Sequence, residues 1–245
     1  MNRTSITGLA CLLAVALTAC AGGGEPPAPS GSPASAPLEA LKEPANSMSV
    51  SPPLSPAPVS AEALAAYRAL LAGEPGALDR PPEGLELHQV TLPPAEELEY
   101  VLLDLDGDGG AELVVQMVAQ PHQFNAVFHY GDGELSCWQY DIMEMSCRDY
   151  PLGDGAMVRQ YDTGTGPNRY SNLYTVFRYL PDGETEECAS LAVHQDTQED
   201  GTEVSTYLVD DAEVDQDTFA AEFEELVGSR LLSLEDWTPA TERPG

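Results

Sequence analysis

Four Asp-Gly pairs, spread along the second half of the chain, limit its possible folds more than any other feature. Asp and Gly both tolerate the positive φ that tight turns between antiparallel strands require. Short runs rich in β-branched and aromatic residues, such as FNAVFHY and NLYTVFRYL, lie before the first pair and between the pairs. The pattern predicts a meander of antiparallel strands rather than βαβ units. The pairs are Asp132-Gly133, Asp154-Gly155, Asp182-Gly183 and Asp200-Gly201.

Two segments have helical periodicity instead. The first follows Ser60, a good N-cap residue, and ends before Gly73, and the second precedes a strand-like run, RLLSLEDWTP, that ends at Pro239. We therefore expect an α+β fold, mostly β, in which an antiparallel β-meander sheet is backed by an N-terminal and a C-terminal helix. About eight to ten strands are too few for a full propeller. The apolar faces are Leu64, Tyr67 and Leu71 in the first helix and Phe219, Phe223 and Leu226 in the second.

The first residues have the composition of an export signal. Arg3 precedes an uncharged, mostly apolar run from Gly8 to Ala19, which is too short to span a bilayer as a mature helix. The residues Leu17-Thr18-Ala19-Cys20 resemble the lipobox of bacterial lipoproteins, and this resemblance implies cleavage after residue 19 and acylation of Cys20. We expect an extracytoplasmic protein attached to the membrane by lipid on Cys20. The alternative is an ordinary secretory signal with an incidental cysteine.

Residues 20–59 have the composition of a tether. Pro, Ala, Ser and Gly dominate, as in PPAPSGSPASAP, and no apolar periodicity is present that could bury surface. Residues 60–245 then suit one domain with one core.

The chain is strongly acidic, with a formal net charge of -31. Of the 10 Lys plus Arg, Arg3 belongs to the signal, which leaves 9 cationic residues against 41 Asp plus Glu. Nucleic acid is excluded as a partner because it requires a cationic surface. Divalent cations or a basic partner protein are favoured, although an acidic surface also serves solubility alone.

Three cysteines belong to the predicted domain. Cys137 and Cys147 lie on two strand-like stretches with room for a turn near Ile142, so a cross-strand disulfide is compatible with the sequence and with an oxidising compartment. Cys188 is then left over, and we expect it to be a small buried residue.

The segment from Asp104 to Glu112 carries the clearest chemistry. Asp104, Asp106 and Asp108 provide carboxylates at positions 1, 3 and 5, Gly110 provides a backbone carbonyl at position 7, and Glu112 provides a carboxylate at position 9. Gly109, at position 6, would allow the sharp turn that wraps such a loop around a hard cation. The alternative is a metal-free turn in which the Asp side chains accept backbone N–H groups.

The run DLDGDGGAEL is similar to the DxDGDGxxEL loop of VCBS and FG-GAP repeats, and to the loop halves of EF-hands and dockerins. An EF-hand or dockerin has helices on both sides and an acidic residue at position 12, where this chain has strand-like runs and Val115. We therefore favour the strand-loop-strand type. The layout also resembles uncharacterised bacterial lipoproteins with one copy of the motif.

Calcium is the cation that this donor set favours. A flexible loop of many oxygens does not enforce the small octahedral shell of Mg²⁺, and no His or Cys lies within the loop to select Zn²⁺. Without a bidentate acid at position 12, we expect a weak structural site, with a dissociation constant of about 10⁻⁴ to 10⁻³ M.

The sequence shows no nucleophile paired with a base, and the four histidines lack metal-ligand spacing. We expect a calcium-stabilised binding or interaction module for an envelope glycan or protein. The first alternative is an envelope scaffold that docks a basic partner protein. The second alternative is a cell-envelope hydrolase. Six aromatic residues are candidates for a ligand-binding face, and the alternative is that they pack in the core. They are Tyr130, Trp138, Tyr140, Tyr161, Tyr170 and Tyr174.

Overall fold

The computed structural model describes residues 57–119, 124–142, 147–166, 168–242 and 244. The predicted signal, Cys20 and most of the predicted tether lie outside the described residues. Within the described part, two helices and two antiparallel sheets form a mostly β fold that is neither a closed barrel nor a propeller. The predicted α+β class is confirmed, but the strands form two sheets where the sequence analysis expected one.

The first sheet has the strand order β11-β1-β2-β3-β4. Its strands β1 to β4 follow one another as a meander, and β11 returns from the far end of the chain to the outer edge of β1. The bounds are Leu98–Leu103 for β1, Glu112–Met117 for β2, Phe124–Gly131 for β3, Glu134–Ile142 for β4 and Thr238–Pro239 for β11.

The second sheet has the order β10-β9-β8-β7-β6-β5 and is a meander throughout. All four Asp-Gly pairs join consecutive antiparallel strands, as predicted. Asp210 and Asp211 form a further turn between β9 and β10, both with positive φ. The bounds are Cys147–Pro151 for β5, Met157–Gly166 for β6, Arg169–Tyr179 for β7, Thr185–Thr197 for β8, Glu203–Val209 for β9 and Ala212–Val214 for β10.

The predicted helices are present. Helix α1 spans Ala61–Leu71, and the Ser60 side chain caps it by accepting the N–H of Ala63 at 3.0 Å. Helix α2 spans Gln216–Leu226 and is capped in the same way by Asp215. Neither described helix has the length and apolar composition needed to cross a bilayer.

The predicted strand after α2 is largely wrong. Gly228–Arg230 and Leu234–Asp236 form short 3₁₀ turns, and the Asp236 carboxylate accepts the N–H of Ser233 at the start of the second turn at 2.7 Å. Thr238–Pro239 alone pairs with β1, at the sheet edge, where the missing N–H of proline is tolerated.

Three apolar clusters stack the elements into four layers. One packs α1 against the first sheet, and another packs α2 against the second sheet. The third lies between the sheets, where Val114 and Val127 of the first sheet share a core with Phe177 of the second. Alternate residues of β2 face opposite layers, because Leu113 and Val115 belong to the α1 cluster and Val114 belongs to the middle one.

Candidate metal centre

The predicted loop joins β1 to β2 as a hairpin, which confirms strands rather than helices on both sides. The last paired residues are Leu103 and Glu112. Gly107 and Gly109 have φ of +76° and +90°, so the backbone turns twice through the left-handed region that glycine adopts without strain.

The three aspartates of the loop turn their carboxylates toward its own backbone. Asp104 accepts the N–H groups of Gly107 at 2.7 Å and Gly109 at 3.2 Å. Asp106 accepts the N–H of Asp108 at 3.0 Å, and Asp108 accepts the N–H of Gly110 at 2.5 Å. These bonds hold the loop in a curled shape and bring carboxylates close together.

Carboxylate oxygens of Asp104, Asp106 and Asp108 lie within 4.8 Å of one another. Partial burial and the neighbouring charges of Asp108 and Asp104 raise the pKa of Asp106. Its Oδ2 atom is enclosed and has no hydrogen-bond partner in the described part of the chain. An enclosed carboxylate oxygen without a donor is the type of atom that a cation satisfies.

Glu112 lies at the buried start of β2, and one of its carboxylate oxygens is within 4.8 Å of a carboxylate oxygen of Asp106. Its Oε2 accepts the N–H of Leu105 at 2.7 Å, and its Oε1 lies 3.0 Å from Nδ1 of His129 on β3. Burial raises the pKa of Glu112. Burial by itself lowers the pKa of His129, but the hydrogen bond to Glu112 and the negative charges of Glu112, Asp106 and Asp108 together outweigh it and leave the pKa above its ordinary value.

His129 was not among the site residues predicted from the sequence. Leu113 pairs with Phe128, so Glu112 and His129 are the next residues outward on the two strands. The register of the hairpin was the signal that could have found this pair, because neighbouring strands bring together residues that are far apart in sequence. Of the other histidines, His122 lies outside the described residues.

The layers on both sides of the first sheet, α1 and the second sheet, hold the loop in place. The Tyr67 hydroxyl of α1 donates to the carbonyl of Ala111 at 2.8 Å, and burial raises the pKa of Tyr67. From the opposite side, Gly155 of the β5–β6 turn approaches the carbonyl of Asp104 so closely that a Cβ there would overlap it. The loop is therefore a packed part of the domain.

The β5–β6 turn is supported by an acidic side chain that pairs with two arginines. Asp154 accepts a hydrogen bond from Arg178 at 2.9 Å and from Arg230 at 2.6 Å. Burial alone would raise the pKa of Asp154, but the bonds from Arg230, together with the charge of Arg178, lower it. This ion-pair cluster ties the residue before Gly155 to β7 and to the segment after α2.

The cysteines differ from the predictions. No disulfide joins the three cysteines in the described domain. Cys137 is on β4 of the first sheet and Cys147 on β5 of the second, so the predicted hairpin between them does not form. Burial raises the pKa of the Cys137 thiol to about 12. Cys188 was expected to be buried and is exposed.

Most of the candidate aromatic residues serve packing. Trp138 lies between the rings of His129, at 4.3 Å, and Tyr179, at 5.1 Å. Tyr174 is buried against Phe223 of α2. Tyr161 is on the neighbouring strand β6 and is exposed, so these residues do not form one continuous aromatic face.

A groove of about 880 Å³ lies at the C-terminal end of α1, and none of its lining residues belongs to the loop. Leucine, valine, proline and alanine dominate its lining, which contains no Phe, Tyr or Trp. No protein-family model matches the chain, and the comparisons with curated proteins and with solved structures find no match either.

Proposed function

We propose that this protein is an extracytoplasmic lipoprotein, anchored through Cys20, whose domain is a calcium-stabilised binding module. The observation that carries the calcium proposal is the convergence of the Asp104, Asp106 and Asp108 carboxylates within 4.8 Å. The enclosed, unpartnered Oδ2 of Asp106 adds to it. The donor set fits Ca²⁺ because all of its members are oxygens on a loop with two left-handed glycines.

Asp104, Asp106 and Asp108 would hold the ion with their carboxylates, Gly110 with its carbonyl, and Glu112 directly or through water. Bound calcium would neutralise the repulsion between these carboxylates. The loop contacts α1 through Ala111 and the second sheet through Asp104, so the ion would stabilise the junction of three layers. We therefore assign calcium a structural role.

Thermal melting with and without Ca²⁺ tests this role. Calcium should raise the Tm of the wild-type domain, and Asp106→Ala combined with Asp108→Ala should abolish the rise. Glu186→Ala combined with Glu187→Ala is the charge-matched control, because both residues are exposed on β8 and far from the loop in sequence. An equal rise in all three proteins would contradict the proposal.

The anchor has its own test in a bacterial host. Labelled palmitate should be incorporated into the full-length chain, and Cys20→Ser should abolish the labelling and release the protein from the membrane fraction. Labelling that persists in the variant would contradict lipidation at Cys20.

We favour binding over catalysis. In the described part of the chain, Ser171 and His194 are a nucleophile and a base in contact, with 2.7 Å between Ser171 Oγ and His194 Nδ1. Ser171 is 1% exposed, so a substrate could not reach its hydroxyl. A pair of this kind on neighbouring strands serves as a cross-strand hydrogen bond.

The apolar groove favours a protein ligand over a glycan. Sugar-binding surfaces rely on exposed aromatic rings, whereas this lining consists largely of aliphatic side chains and prolines. Leu87 is 48% exposed there and can be replaced without opening the core. A peptide display library should yield apolar sequences that bind the wild type and not Leu87→Asp. Glycan binding that is insensitive to this substitution would contradict the assignment.

A scaffolding role toward a basic partner is the second candidate, and the charge distribution favours it. In the described part, five arginines pair with Asp or Glu, so few cations offset the acidic surface. Such docking should weaken steeply with added salt, whereas binding in the apolar groove should not.

A further inference from the structure

A second group of potential metal ligands lies beneath the aspartates of the loop. Asp106, Glu112 and His129 come from three different elements, namely the loop, the start of β2 and β3. Each offers one ligand atom, and the three atoms lie within 4.8 Å of one another. Asp106 is the residue that this inner group shares with the outer group of three aspartates.

The inner group is better shielded than the outer one. The side chain of Glu112 is 2% exposed and that of His129 is 14% exposed. Glu112 and His129 satisfy each other through their 3.0 Å contact, but Oδ2 of Asp106 is enclosed without a partner in the described residues. A buried oxygen that lacks a donor beside a carboxylate–imidazole pair indicates a missing positive group.

The ligand types separate this group from a calcium site. An imidazole nitrogen is a preferred ligand for zinc and its neighbours in the transition series, whereas calcium and magnesium take oxygens. Ligands of a tetrahedral zinc ion at about 2.0–2.1 Å lie about 3.3 Å apart. The 3.0 Å between His129 Nδ1 and Glu112 Oε1 needs to grow by only a few tenths of an ångström.

The surroundings hold both ligands in fixed orientations. The N–H of Leu105 donates to Glu112 Oε2, which leaves Oε1 directed at His129. The imidazole is stacked on Trp138, and Gly131 provides room for its edge, because a Cβ there would overlap Nε2. Ligands fixed by their neighbours in this way bind a metal with less loss of conformational freedom.

We propose that Asp106, Glu112 and His129 form a binding site for a divalent transition-metal ion of the zinc class, distinct from the calcium position on the outer aspartates. The ion binds His129 through Nδ1 and takes the place of the proton on that nitrogen, which moves to Nε2 in the neutral ring or leaves to solvent from the imidazolium. The inference builds on the proposed metal-binding loop, with which it shares Asp106 and Glu112.

Titration calorimetry with Zn²⁺ alone, in calcium-free buffer, tests the proposal. The wild-type domain should bind one equivalent, and His129→Gln should weaken binding by about 10–100-fold. Asp104→Asn is the matched variant, because Asp104 belongs to the outer group: it should lose the calcium-dependent rise in Tm and keep zinc binding. Melting curves without metal establish that both variants fold.

Co²⁺ replaces Zn²⁺ in a second measurement. The bound Co²⁺ should absorb visible light without a sulfur charge-transfer band. This spectrum distinguishes His129 from the cysteine thiols as the ligand. Histidine NMR of the wild-type domain, with and without Zn²⁺, should show a shift of the Nδ1 resonance of His129 and needs no variant to fold.

The outcomes separate the two metal proposals. The inner site is overturned if the wild-type domain does not bind zinc, or if His129→Gln binds zinc as tightly as the wild type. It is also overturned if Asp104→Asn weakens zinc binding as much as His129→Gln does. If calcium gives no rise in Tm while zinc binding still depends on His129, the calcium proposal fails and the inner site stands.

Discussion

Gly155 and the carbonyl of Asp104 are packed so tightly that no side chain fits between them. A Cβ on Gly155 would lie well under 3.0 Å from that oxygen, and Gly155 also has φ of +84°. The turn between two strands of the second sheet is therefore seated directly on the first residue of the proposed metal loop. Strain at this contact would be transmitted to the loop.

Gly155→Ala should destabilise the domain by about 2–4 kcal/mol, since it combines a left-handed alanine with an overpacked contact. Gly201→Ala is the control, because Gly201 has φ of +82° but nothing within 4 Å of its Cβ position. That variant should lose about 1 kcal/mol. Urea unfolding measures both, and equal losses would show that the contact with Asp104 contributes nothing.

Tyr67→Phe should lower the free energy of unfolding by about 1–2 kcal/mol. The substitution leaves the buried carbonyl of Ala111 without its hydrogen bond. Tyr100→Phe removes a comparable bond to the carbonyl of Glu242, which is 3.1 Å long and less buried, and should cost less. Urea unfolding of the two variants gives the comparison. A larger loss in Tyr100→Phe would contradict a special role for Tyr67 at the loop.

Calcium binding should change the fluorescence of Trp138. This ring stacks on His129, which in turn contacts Glu112, so a change in the loop reaches the indole through two contacts. The measurement uses Trp237→Phe, in which Trp138 is the remaining tryptophan. A calcium titration should shift its emission, and the shift should vanish when Asp106→Ala and Asp108→Ala are added. An emission spectrum unaffected by calcium in the first protein would count against this link.

Asp154→Asn should destabilise the protein at neutral pH and not in acid. Arg230 and Arg178 hold the pKa of Asp154 below its ordinary value. Its ion pairs therefore contribute stability above the unfolded-state pKa, about 3.9, and the contribution disappears as pH falls through the lower folded-state pKa. The side chain is 44% exposed, so solvent screening limits the contribution to about 1 kcal/mol.

Urea unfolding of wild type and Asp154→Asn at a series of pH values provides the check. The difference between the two proteins is the relevant quantity, because many other carboxylates titrate over the same range. A difference that stays constant between neutral pH and strong acid would contradict the assignment.

Local signals predicted much of this fold. The Asp-Gly pairs, the N-cap at Ser60 and the loop from Asp104 to Glu112 act through neighbouring residues, so the sequence displays them directly. The second sheet was missed, although β2 carried a signal for it. Leu113, Val114 and Val115 are apolar in succession, and a strand that is buried on both faces needs a layer on each side.

Contacts between residues that are distant in sequence could not be predicted from local sequence patterns. His129 reaches Glu112 through the register of a hairpin, and Gly155 reaches Asp104 through the packing of two sheets. The run after α2 has the composition of a strand, but the bond from the Ser233 N–H to the Asp236 carboxylate favours a 3₁₀ turn there.

The return of β11 to the first sheet makes the order of synthesis matter for folding. Strands β1 to β4 are complete by residue 142, yet the outer edge of β1 pairs with Thr238 and Pro239. The carbonyls of Glu242 and Pro244 then accept bonds from Tyr100 and Arg68. A chain whose synthesis is incomplete therefore presents β1 as an open edge, and protection of that edge from aggregation comes with Thr238 and Pro239.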